Sequence, residues 1–269
     1  MGGKIFAVLV IIIALASAVP IISHTFLGAS VTPPEDISTH GYEIDKQLDE
    51  TMIEAGLSFL AAQLVLGFFV WQSGERNGVL KNFPGGAKYL VVAAVLLVGA
   101  EAIALGAMGT KAWAKVYFDK PSADSLPIQV QAGQFAFYFR YAGPDGKFGA
   151  LHPEKIDEGN SNFFGLDPEN DIPARDDIVS GDLVIPVNKE INLMMHAKDV
   201  GHSFYVRELR IQQDFVPGLD LGLHFTATKP GKYEIVCTQL CGLGHYNMKA
   251  YLNVMSQDDF DKWLKAQSN

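Results

Sequence analysis

Two apolar stretches of membrane-spanning length, residues 52–72 and 89–109, constrain this 269-residue chain more than any other feature. Each has 21 residues. At ~1.5 Å per residue such a helix reaches about 30 Å, the thickness of one hydrocarbon core. Neither stretch has the polar face that a soluble core helix turns to water. The reading is a transmembrane helical hairpin over 52–110. Each stretch carries one acid, Glu54 in the first and Glu101 in the second. An acid inside a spanning helix is costly and faces protein. The two are expected either to hydrogen-bond a neighbouring helix or to serve a proton path.

A third apolar run, 5–22, follows a lone Lys4. Residues 1–22 read as a signal peptide, with Ala16-Ser17-Ala18 as its cleavage site, or as a first transmembrane helix. Loop charge gives the orientation, because positive loops stay in the cytoplasm. The connector 73–88 holds Arg76, Lys81 and Lys88 against Glu75, whereas 23–51 holds six acids against Lys46. The connector is therefore expected inside, and 23–51 is an acidic external segment. Everything beyond 110 is external too. Lys111, Lys115 and Lys120 pull the other way, more weakly.

The composition excludes several classes. With 30 acids against 21 bases the net charge is −9. There is no basic tract, so nucleic acid is not an expected partner. A hydrophobic fraction of 48% excludes disorder. Two cysteines exclude a disulfide scaffold, and no CxxCH attaches a haem.

From about 119 onward the pattern turns to β. Strands are expected at 134–141, 183–187, 190–197, 232–237 and 249–254. Turn signals separate them, such as Gly143-Pro144-Asp145-Gly146, Val216-Pro217-Gly218 and Lys229-Pro230-Gly231. Short strands with frequent turns suggest a sandwich or barrel. Residues 154–177 form an acidic insertion, eight acids against Lys155 and Arg175. The chain closes with Ser256-Gln257-Asp258-Asp259, a capping box, ahead of an amphipathic helix bearing Phe260, Trp263 and Leu264.

The strand at 232–237 runs into a loop that offers Cys237, Cys241, His245 and Met248 within 12 residues. Thiolate, imidazole and thioether form a soft set that suits copper. An earlier histidine, His202, completes the pattern of a copper site shared between strands. Two thiolates spaced C-x3-C can bridge two copper ions, each also taking one histidine and one weak axial ligand. A bridged pair shares an electron over both metals and acts as a relay. Three other readings stand beside it. A disulfide would leave His245 and Met248 unexplained. A structural zinc on Cys237, Cys241, His245 and His202 would not need Met248. The third is a set of core residues with no metal.

At these residues the chain resembles subunit II of the haem-copper oxidases. The family signature C-x-[E/Q]-x-C-G-x-x-H-x-x-M is matched from Cys237 to Met248. D-V-x-H-S is matched at 199–203, D-x-x-P-G at 214–218, K/R-P-G-x-Y at 229–233 and F-x-K-W at 260–263. With the two-helix anchor, the similarity covers about 45–269. It implies an all-β cupredoxin Greek-key sandwich over 119–269, behind the helical hairpin. It implies a dinuclear copper A centre held by His202, Cys237, Cys241, His245, Met248 and the backbone carbonyl of Gln239. The family usually has Glu at Gln239, where it helps hold magnesium at the subunit I interface. A neutral amide binds a hard dication less well, which counts against magnesium here. Phe135 stands where the family's usual electron-receiving Trp stands, as in the B-type branch, and Phe137 follows it. No acid stands at 85–89, where many members place one at a proton-channel mouth.

The function implied is that of an electron-input subunit of a terminal oxidase. Its partners would be subunit I and other oxidase subunits. A cytochrome c-type donor, or a neighbouring respiratory complex, would dock outside the bacterial inner membrane, on the periplasmic side. Neither hairpin helix contains a histidine, so haem ligation and oxygen reduction fall to subunit I. The acidic insertion is expected to steer a basic donor. Two other functions share the copper site: the copper subunit of a nitric oxide reductase, and a free-standing membrane-tethered copper carrier. The two-helix anchor argues against the second, since one helix suffices for tethering.

Overall fold

A computed structural model of the chain describes residues 2–27, 33–73 and 86–267. It divides into two compact units, one of residues 1–32 and 43–112 and one of residues 33–42 and 113–269.

The first unit is helical. α1 is Gly2–Leu27, α2 Gly41–Ser73 and α3 Gly86–Tyr117. Two helical spans, Gly41–Gln72 and Val91–Tyr117, are long and apolar enough to cross a membrane, and the apolar part of α1, Lys4–Val19, is shorter. α1 runs unbroken through Ala16-Ser17-Ala18. Its small residues Ala7 and Ala14 are fully buried. Ile11 lies against Gly67 of α2, where an added Cβ would sit 3.0 Å from its side chain. Small residues at such a seam let two helices approach closely. Both hairpin helices exceed the expected 52–110. α2 starts earlier because Ser38 caps it: the Gly41 amide donates to Ser38 Oγ at 2.7 Å. Acids then follow in its first turns, where the helix dipole favours them. The Gln47 amide reaches the Leu105 carbonyl of α3 at 3.3 Å. Glu101 is half-buried and Glu54 exposed. Of the orientation-setting connector, Arg76 and Lys81 lie outside the described residues.

The second unit is a sandwich of two five-stranded sheets. One sheet has the order β3-β2-β1-β5-β8. It comprises β1 Leu126–Gly133, β2 Ala136–Tyr141, β3 Ile178–Ser180, β5 Glu190–Ala197 and β8 Leu221–Thr226. The other has the order β4-β10-β9-β6-β7. It comprises β4 Leu183–Pro186, β6 His202–Val206, β7 Ile211–Phe215, β9 Gly231–Val236 and β10 Lys249–Met255. The pairs β1–β5 and β4–β10 are parallel and the rest antiparallel. This is the cupredoxin-type Greek-key sandwich expected. In β5 the alternation is complete: Ile191, Leu193, Met195 and Ala197 are buried between less buried neighbours. Phe139, Phe204, Phe215 and Leu252 from both sheets meet in the core. Ser256 caps α4, Gln257–Gln267, its Oγ accepting from the Asp259 amide at 3.2 Å. α4 lays Phe260 and Trp263 against Tyr141.

Two segments differ from expectation. Part of the external segment belongs to the sandwich unit. Ile37 is buried there, its amide donates to the Glu208 carbonyl and its carbonyl accepts from Thr228. Lys229 pairs with Glu35 at 2.6 Å. The acidic insertion, second, uses much of its charge internally. Asp167 pairs with Lys155, and Glu158 with Lys198. Asp171 and Asp176 accept from the amides of Ala150 and Asp145. Asp177 and Arg140 form an ion pair whose side chains are both fully buried. Arg140 also donates to Gln129 and to the Gly149 carbonyl.

Removing one member of a buried ion pair leaves the other charge uncompensated, at a cost of about 3–5 kcal/mol. Asp177→Ala should therefore destabilise the sandwich by that amount, whereas Glu169→Gln, at an exposed site of the same insertion, should change stability by less than about 0.5 kcal/mol. Urea unfolding of the full chain in detergent, followed by near-UV circular dichroism, checks this. Equal midpoints for the two variants would refute the structural role given to Asp177.

Candidate metal centre

The site is assembled from the ends of three strands. β6 begins at His202, and the pairing of Tyr205 with Val236 sets β6 beside β9. β9 ends at Val236, so Cys237 is the first residue of the loop, and β10 begins at Lys249, so Met248 is its last. The Cys237 amide donates to the Met248 carbonyl at 3.2 Å and closes the loop at its base. Inside it, Gly242 takes φ +132, a conformation that L side chains rarely adopt. A single 3-10 turn, His245–Asn247, then returns the chain to Met248.

The loop brings the sulfurs together. Cys237 Sγ lies 3.8 Å from Cys241 Sγ and 3.1 Å from the Gln239 carbonyl oxygen. Cys241 Sγ lies 3.8 Å from Met248 Sδ and 3.6 Å from His245 Nδ1. One ligand atom each from His202, Cys237 and Cys241 falls within 4.8 Å of the others. Both cysteines are free and buried, so the disulfide reading fails. His202 is fully buried and its Nε2 meets Asp199 Oδ1 at 2.7 Å. Its Nδ1 is buried with no hydrogen-bond partner among the described residues. A carboxylate on one ring nitrogen and a free second nitrogen is the arrangement of a metal-ligating histidine. Asp199 is itself fixed by the amides of Gln134 and Val200.

Electrostatics point the same way. Burial, and then the neighbouring Cys237, push the Cys241 thiol up to about 11. Two thiolates this close and this buried need a cation between them. The donor set is soft throughout: two sulfur anions, a thioether and two imidazoles. A metal-free core would leave His202 Nδ1 unsatisfied, and the residues present fit a soft metal well.

The two aromatics expected at the electron-input face part company. Phe135 is 40% exposed and lies over the loop; a Cβ at Gly244 would come within 2.4 Å of its ring. Phe137 is buried, its ring centroid 5.9 Å from that of Phe215. It is a core residue and cannot meet a partner at the surface. The correction follows from strand periodicity: Phe137 and Phe139 share the inward face of β2, whereas Phe135 precedes the strand. Sequence reasoning passed over three exposed apolar residues of the ligand loop, Leu240, Leu243 and Tyr246. Their signal was present, since large apolar residues stand there between the soft side chains of a loop.

A membrane-anchored subunit with a cupredoxin-fold external domain is the class these features define. A family model described as cytochrome c oxidase subunit II, periplasmic domain, matches residues 169–255. An alternative cytochrome c oxidase subunit 2 of Bradyrhizobium diazoefficiens is 28% identical over 263 residues, 97% of this chain and 91% of its own length. A cytochrome c oxidase subunit 2 of Cereibacter sphaeroides is 26% identical over 80% of this chain and 72% of its own. A probable cytochrome c oxidase subunit 2 of Rickettsia bellii is 36% identical over 55% of this chain and 51% of its own. Among solved structures, the periplasmic domain of subunit II of the Bradyrhizobium japonicum cytochrome oxidase aligns with 55% of this chain and 96% of its own. That alignment has 24% identity and a TM-score of 0.40. The chain is similar to cytochrome c oxidase subunit II, over residues 169–255 in the periplasmic-domain model and over 97% of its length in one relative.

The raised thiol has a direct consequence. In the metal-free chain, alkylation of Cys241 should stay slow at pH 8.5, the ordinary midpoint of a thiol at about that value, and accelerate only toward about 11. Mass-spectrometric mapping of iodoacetamide adducts across pH checks this. A midpoint near 8.5 would show the thiol to be solvated.

Proposed function

We propose that the chain is the electron-input subunit of a terminal haem-copper oxidase, and that His202, Cys237, Cys241, His245, Met248 and the Gln239 carbonyl hold a dinuclear copper centre. The observation that carries the reading is the pair of free, buried thiols 3.8 Å apart, with a thioether and an imidazole on the same sulfur. A copper pair bound there supplies reversible one-electron transfer. Every other contribution is the protein's own. Cys237 and Cys241 would hold the ions between them, their sulfurs set 3.8 Å apart by the fold of the loop. Asp199 orients the His202 ring and leaves Nδ1 to coordinate. Met248, buried beside Cys241, would supply a weak thioether donor, and the Gln239 carbonyl, beside Cys237, a weak oxygen donor. The core around both cysteines excludes water, which keeps the reorganisation on electron transfer small. A mononuclear zinc site leaves Met248 and the Gln239 carbonyl without a role.

The proposed donor is a c-type cytochrome or a cytochrome domain of a neighbouring complex, and it meets the domain beside Phe135. Pairing within the insertion reduces its steering charge. Asp167, Glu158 and Asp177 are neutralised by cations, while Glu154, Asp157, Glu169, Asp171 and Asp176 keep theirs. The acceptor is haem in subunit I, where oxygen is reduced. With no histidine in α2 or α3, the hairpin is an anchor and a partner surface. Glu54 and Glu101 would face subunit I or a proton path there. The setting proposed is the bacterial inner membrane, with the copper domain in the periplasm.

Copper analysis of the loaded full chain should give two ions per chain. Cys237→Ser or Cys241→Ser should lose the dinuclear centre. Met248→Leu should keep both ions and shift the potential, because an axial thioether tunes the site and bridging thiolates hold it. One copper per chain, or loss of all copper in Met248→Leu, would contradict the assignment.

A further inference from the structure

Gln134 and Phe135 form the two-residue turn between β1 and β2. That hairpin lies in the first sheet, whereas His202 and the ligand loop belong to strands of the second. The turn nevertheless reaches both halves of the metal site. The Gln134 backbone amide donates to Asp199 Oδ2 at 2.8 Å, and the other oxygen of that carboxylate meets the His202 ring at 2.7 Å. The Gln134 side-chain amide donates to the Cys241 carbonyl at 2.6 Å. A carbonyl only accepts, so the amide nitrogen is the atom that faces it. One residue thus grips the support of one ligand and the main chain of another.

The seat of this turn is tight. A Cβ added at Gly242 would lie 2.8 Å from Gln134 Nε2 and 3.1 Å from the Phe135 ring, and one at Gly244 would lie 2.4 Å from that ring. The loop glycines therefore do more than free the backbone: they leave room for the turn. Gln134 is exposed, whereas Cys241 is buried. A long exposed side chain loses rotamer freedom when it is fixed. Here its amide is committed to a single carbonyl of the ligand loop.

We infer that Gln134 is a positioning residue of the metal centre: it fixes the main chain of Cys241 against the Asp199–His202 pair and so sets how the Cys241 sulfur is presented. The inference rests on the copper reading above for the identity of the metal, though not for the bonds. Groups that hold ligands in place govern metal affinity and geometry as well as the ligands themselves do. Equal sharing of an electron over a bridged pair needs both sulfurs held symmetrically, so the bond to Cys241 bears on the relay as well as on metal retention. Phe135, packed on Gly242 and Gly244, covers the same seat.

Iodoacetamide alkylation of Cys241 in the metal-free full chain, in detergent, tests this without copper. The buried thiol reacts when the loop opens locally. At one fixed pH, Gln134→Ala should raise the rate about 2–10-fold, the factor that one hydrogen bond of ordinary net strength carries. Gln134→Glu, nearly equal in volume, sets an ionised acceptor against the carbonyl and should raise it at least as much. The backbone bond to Asp199 survives in both. Gln131→Ala is the control: it removes a bond of the same kind from the adjoining strand, to the Phe163 carbonyl at 2.6 Å, and should leave the Cys241 rate unchanged. In the copper-loaded, half-reduced chain the two Gln134 variants should make the hyperfine couplings of the two copper nuclei unequal, and Gln131→Ala should not. Near-UV circular dichroism reports folding, and Gln134→Asn, one methylene short of the carbonyl, replaces any variant that does not fold. A single copper in the unsubstituted chain would refute the copper reading and leave the alkylation test standing. Cys241 rates unchanged in both folded Gln134 variants, rates raised as much by Gln131→Ala, or a two-copper pattern unchanged in both Gln134 variants would overturn the role given to Gln134.

Discussion

The hydrogen bond from the Cys237 amide to the Met248 carbonyl governs the external domain. It joins the first residue of the ligand loop to the last. With it closed, the loop has little choice. Cys241 must fold back against both Cys237 and Met248, and Gly242 supplies the backbone conformation that the return requires. The antiparallel β9–β10 ladder below holds the base rigid. β6 is bound to β9 and delivers His202 from outside the loop. The ligand set is therefore preorganised by the sandwich.

That preorganisation has an electrostatic cost. The Cys241 thiol resists ionisation, because burial and the neighbouring Cys237 push it up. The domain stabilises the neutral, metal-free form of its own site at ordinary pH. A soft cation would reverse this by replacing the protons at the sulfurs. Asp199 adds a fixed negative charge behind His202.

Much of this was legible in the sequence, for physical reasons. The hairpin was visible because a bilayer demands a length and a composition that little else does. β5, β9 and β10 were visible because β-branched and apolar residues alternate there. β6, β7 and β8 were not, because His202 and Ser203, then Gln212, Gln213 and Asp214, then Gly222 and His224 interrupt the apolar pattern. β1 was hidden by Pro127 and by two glutamines on its outer face. The soft residues near Cys237 announced themselves by spacing and do converge. The pairing of acids could not be read, since composition gives charge but not partners. Arg140 and Asp177 lie far apart in sequence and meet only in the fold. Phe135 and Phe137 look equivalent in the chain, and only the strand boundary separates a surface ring from a core one.

The proposed electron relay requires two metal ions that share the thiols of Cys237 and Cys241. Electron paramagnetic resonance of the copper-loaded, half-reduced chain tests it most directly. An unpaired electron shared equally over both ions gives a hyperfine pattern from two equivalent copper nuclei, and that is the result predicted. A pattern from a single copper nucleus would show a mononuclear site, and would contradict the bridged pair.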